Sequence, residues 1–82
     1  MSFERIHEGE LGAPVRDVVQ EAVDATVTRY ARTPDVDVEQ SLREQLHGRG
    51  VRATEDRVIE EIGARIRAGR EVRIGDHDGS IA

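Results

Sequence analysis

TEDRVIEEIGARIRAG, residues 54–69, carries every local signal of a helix and sets the fold expected of the chain around it. Thr54 is placed to cap the first turn by accepting from its backbone N–H groups. Glu55 and Asp56 set negative charge at the positive end of the helix dipole. Val58, Ile59, Ile62 and Ile66 recur at three- and four-residue spacing and form one apolar stripe. Arg65 and Arg67 lie near the negative end, and Gly69 falls where a left-handed terminating residue is wanted. Gly63 in the interior costs about 1 kcal/mol relative to Ala, which a close helix–helix approach would offset.

Upstream, Pro14 fits the first turn of another helix, where its missing N–H costs nothing. Val15, Val18, Val19, Ala22, Val23, Thr26, Val27 and Tyr30 then trace a helical stripe, with charged and amide side chains opposite. Five Val and two Thr within fourteen positions lower the intrinsic helix propensity of this stretch. The period still favours a helix, one that depends on burial of its face. Thr33-Pro34-Asp35 breaks the chain. A second helix follows, capped either by Thr33 with Pro34 in the first turn or by Asp37 with Gln40 reaching back. Val38, Leu42 and Leu46 line its face, Val36 stands at its entry, and Glu39 and Arg43 are spaced to pair along it. Gly48 and Gly50 end it, with Val51 as an apolar plug under the turn.

The ends are less regular. Residues 1–13 show no clean period and read as a flexible arm that docks Phe3 or Ile6, with a short strand as the alternative. After Gly69, Glu71-Val72-Arg73-Ile74 alternates as a strand would, and Asp78-Gly79 is a hairpin dipeptide. The expected architecture is therefore mainly α. It consists of an arm (1–13), a three-helix domain (14–70) and a short strand or hairpin with a tail (71–82).

Eighty-two residues suffice for one domain with a modest core. Phe3 and Tyr30 are its only aromatics, so Val, Ile, Leu and Ala must fill the interior. A partner or a second copy is one way to offset that shortage. The absence of cysteine excludes disulfides and thiolate metal sites. No apolar run approaches the ~20 residues of a membrane span, and no signal-peptide pattern opens the chain, so a cytoplasmic protein is expected. All twelve basic residues are Arg, which we read as the codon bias of a GC-rich bacterial genome.

Chemistry-bearing patterns are sparse. Asp76, Asp78 and Gly79 fall at the third, fifth and sixth places of a calcium loop. Ile74 at the first place cannot coordinate, and the closing Glu is missing. His7, Glu8, Glu10 and His77 could converge only if the two ends met, and no His pair has helical metal-binding spacing. Ser41 and His47, six apart, do not share a helical face, so no triad with Glu44 follows. There is no glycine-rich phosphate loop. No enzyme, cofactor or metal site is expected.

Two readings of function follow. In the first, the chain is a non-enzymatic protein–protein interaction module, a homodimer or an adaptor. Its docking surface lies at Arg65, Arg67, Arg70 and Arg73 and on the Val-rich face of the first helix. In the alternative, it is a winged helix-turn-helix regulator that contacts nucleic acid through Arg49, Arg52 and Arg57. The net charge of −5 and the carboxylates Glu55 and Asp56 at the start of the recognition helix oppose that alternative, because they repel phosphate.

Overall fold

Three helices and a two-stranded antiparallel sheet make up the computed structural model, which describes residues 3–6 and 14–74. In chain order they are β1 (Phe3–Arg5), α1 (Val15–Arg32), α2 (Val38–Gly48), β2 (Val51–Ala53) and α3 (Asp56–Arg67). Both α1 and α3 pack on α2, and β2 lies against α2 as well. The hub is thus α2 rather than the helix with the strongest sequence signals.

α1 is a helix because its stripe is dry. Val18, Val19, Ala22 and Val23 are all buried to within 1% exposure, which outweighs the poor propensity of a Val- and Thr-rich segment. Thr26, also buried, donates its hydroxyl to the Ala22 carbonyl at 2.8 Å, so it enters the core without an unpaired polar group. Pro14 stands at the N-cap rather than inside the first turn, and its carbonyl accepts from the N–H groups of Asp17 and Val18. Val27 departs from the expected stripe and stays 42% exposed.

The break at residues 33–37 resolves in favour of Asp37. Its carboxylate accepts from the Gln40 N–H at 3.0 Å, and Thr33 instead closes α1 by donating its N–H to the Arg29 carbonyl. The Gln40 side chain does not reach back; its amide donates to Glu44. Gly50, at φ 78°, takes the left-handed position after α2, and its N–H bonds the His47 carbonyl.

α3 starts later than its cap signal suggested. Glu55 occupies the N-cap and makes no side-chain cap bond of its own. Its end is as expected. Gly69, at φ 73°, donates to the Ile66 carbonyl and Arg70 to the Arg65 carbonyl, the paired bonds of a Schellman stop. Val58, Ile59, Ile62 and Ile66 all face the core.

The arm takes the alternative form, a short strand, and docks through Phe3. Phe3–Arg5 is a strand, paired antiparallel with β2 in the register Phe3↔Ala53, Glu4↔Arg52, Arg5↔Val51. The segment read as a long turn between the second and third helices therefore carries a strand of its own. The driving force is the Phe3 ring, 2% exposed and part of the same cluster as Val18, Leu42 and Ile62. Ile6 does not dock and remains 37% exposed. At the other end, Val72 is buried and Ile74 makes a single bridge. The strand expected over residues 71–74 is thus no more than that bridge, and the hairpin turn expected at Asp78-Gly79, the acidic residues of the calcium-like loop, His7 and His77 all lie outside the described residues.

Phe3→Ala should lower stability to urea by about 3 kcal/mol, the usual cost of removing a buried ring. A loss below about 0.5 kcal/mol, the level of a surface change, would show that β1 is not part of the core.

Candidate functional site

The four arginines expected to form one basic surface are divided between α3, which carries Arg65 and Arg67, and the segment after it, which carries Arg70 and Arg73. Arg67 turns toward α2, where both terminal nitrogens of its guanidinium bond the two carboxylate oxygens of Glu39, one of them at 2.7 Å. Gly63 makes that contact possible. A β-carbon there would lie 3.0 Å from Cδ of Glu39, so the glycine admits a carboxylate rather than a neighbouring backbone. The hydrogen bond from Arg67 holds the Glu39 carboxyl below its ordinary range, against a smaller opposing effect of burial, with the charges of Arg67 and Arg43 adding to the lowering. A depressed folded-state value means that this stabilisation is present above the unfolded-state value near ~4.3. It is lost as pH falls through the folded-state value. Arg43, expected to pair with Glu39, instead faces Asp56 of α3 at 3.6 Å. Both pairs tie α2 to α3.

Arg70 and Arg73 lie elsewhere, beside a groove of about 440 Å³ between α1 and the segment that follows α3. Gln20, Val23, Asp24 and Val27, one face of α1, form one wall. Ile66, Val72, Glu71 and the two arginines form the other. The groove exists because α1 and α3 each pack on α2 and leave a gap between themselves. Val27 is the exposed apolar group in it. Arg73 bonds Glu71 at 2.6 Å, while Arg70 has no acidic partner among the described residues. Arg65 is half-buried on α3 and is not a wall of this groove. Thus the arginine cluster and the Val-rich face of α1 do meet, through Arg70 and Arg73 on one side and Val23 and Val27 on the other.

A second groove, about 550 Å³, lies between α2, β2 and the start of α3. Its apolar base consists of Leu46, Val51 and Ile59. Glu44 and His47 border it, whereas Ser41 is buried, which separates the three residues considered for nucleophilic chemistry. No group of three or more His, Asp or Glu among the described residues is arranged to hold a metal ion.

The arginines of the nucleic-acid reading already have internal acceptors. Arg49 is half-buried and donates to the side-chain and backbone oxygens of Gln45. Arg52 bonds Glu4 across the sheet, and Arg57 bonds Glu55. No helix among the described residues is long and apolar enough to cross a membrane. No family model matches the chain, and no curated protein or solved structure matches it either.

Gly63→Ala and Glu39→Ala should be strongly non-additive. Alone, Gly63→Ala should be near neutral, because the helix-propensity gain of about 1 kcal/mol is offset by displacement of Glu39. In a Glu39→Ala background it should stabilise by close to that full amount. Equal effects in both backgrounds would show that Gly63 does not serve the Glu39 contact.

Proposed function

We propose that this chain is a small non-enzymatic protein–protein interaction module that docks another polypeptide, in the first instance its own copy, in the α1–α3 groove. The observation that supports this most is Val27. It is 42% exposed in a helix whose other core-facing valines are covered, and it lies in a groove walled by Arg70 and the Arg73–Glu71 pair on one side and Asp24 on the other. Opposite charges on facing walls suit a two-fold pairing, in which Arg70 of one copy meets Asp24 of its partner. Of the Val-rich face of α1 expected to dock a partner, Val27 is the one valine left exposed. The uncovered apolar area is small, so the association expected is weak and reversible.

The winged-helix alternative has less in its favour. Its three arginines are bonded internally, and Glu55 and Asp56 lead α3. Carboxylates at that end repel the phosphates a recognition helix must approach.

Sedimentation velocity across a concentration series, up to millimolar protein, tests the docking reading. Reversible self-association is expected, and it should be abolished by Val27→Glu and weakened by Arg70→Glu. A monomer at every concentration would overturn the homodimer, as would association indifferent to both substitutions.

A further inference from the structure

Gln20 lies on α1, where its spacing in the sequence gave it only a place on the polar face. In the fold it does something more definite. Its Oε1 accepts from the Ile74 N–H at 3.0 Å, and its Nε2 donates to the Val72 carbonyl at 3.1 Å. The carbonyl of one residue and the N–H of the residue two further on are the groups that a strand presents along one edge. One side-chain amide therefore takes the place of a neighbouring strand for residues 72–74. Asp24 fixes which way round the amide sits, because a carboxylate can only accept, and the same Nε2 donates to its Oδ1 at 3.1 Å.

Among the described residues, the segment held in this way has few other attachments besides the bridge at Ile74. Of residues 70–74, only the Val72 side chain is buried; Ile74 is half-buried, and Arg70, Glu71 and Arg73 are exposed. The helix before it is closed by its own Schellman bonds, so α3 needs nothing from residues beyond Arg70 to end cleanly. Val72 lies over the gap that α1 and α3 leave beside each other, next to Val23 and Ile66. Among the described residues, lifting 71–74 breaks the two Gln20 bonds and the bridge at Ile74 and uncovers one buried valine, whereas unfolding the domain must open the whole aliphatic cluster.

We infer that residues 70–74 form a releasable strap latched by Gln20, and that its opening bares Val23 and Ile66 beside Val27 for a docking polypeptide. The second clause rests on the docking reading of the groove. The first stands on the bonds of Gln20 alone. Gln20→Met keeps the length and volume of the side chain and removes both bonds to the strap. Gln20→Glu keeps the acceptor for Ile74 and loses the donor to Val72.

Amide hydrogen exchange resolved by NMR on the full chain separates the two clauses. In the wild type, the Ile74 amide should exchange well ahead of Val23 and Ile62. Gln20→Met should speed Ile74 about tenfold and Gln20→Glu by less, while the core amides stay within about twofold. Exchange of Ile74 together with the core amides, or an Ile74 rate unmoved by Gln20→Met, would overturn the latch. If the latch responds, self-association of Gln20→Met followed by sedimentation should be tighter than wild type. Unchanged or weaker association with a loosened Ile74 would overturn the strap as the cover of the docking groove. A wild type that stays monomeric removes the docking reading while the exchange result still decides the latch.

Discussion

The domain depends on burying branched aliphatic side chains on a central helix. α2 offers Val38, Leu42 and Leu46 to α1, α3 and β2, and only one ring, that of Phe3, is fully inside. Aliphatic chains fill space with little tolerance for gaps, so each element must bring its own share. That requirement explains why a Val-rich segment stays helical as α1 and why three N-terminal residues cross the domain to pair with β2.

A hub arrangement has a consequence at its margins. Because α1 and α3 both spend their apolar faces on α2, neither fully covers the other. The gap is bridged by the segment after Gly69, through Val72 and the amide of Gln20. On the opposite flank, the α2–α3 contact is fastened by Glu39–Arg67 and Arg43–Asp56. These are exposed ion pairs whose value lies more in fixing register than in stability. The same helix thus carries a fastened side and an open side, and the open side holds the exposed valine.

Much of the helical framework could be read from residue order. The stripe of α3, its stop at Gly69 and the Asp37 cap rest on interactions within a few positions, which spacing reports directly. The α1 helix was legible because its period outlasted its propensity. What escaped the sequence depends on long-range contact. Phe3 pairs with Ala53 fifty positions away, and nothing local to either residue announces it. Glu39 and Arg43 sit at the right interval to pair along α2, yet each found a partner on α3. Val27 kept the stripe's period but fell just outside its covered arc. The candidate surface divided for the same reason: an arginine reaches far enough that neighbours in space, not in sequence, choose its carboxylate. Gln20 gave no signal at all, since an amide on a polar face looks the same whether it meets water or a strand edge.

The claim beneath all of this is that covering by neighbours, rather than residue preference, makes Val15–Arg32 a helix. Val18→Thr and Val27→Thr change the backbone preference of that helix identically and the volume hardly at all, but Val18 is buried and Val27 is not. Urea unfolding should show Val18→Thr losing about 2 kcal/mol while Val27→Thr stays within about 0.5 kcal/mol of the parent. Equal losses at the two positions would contradict the account.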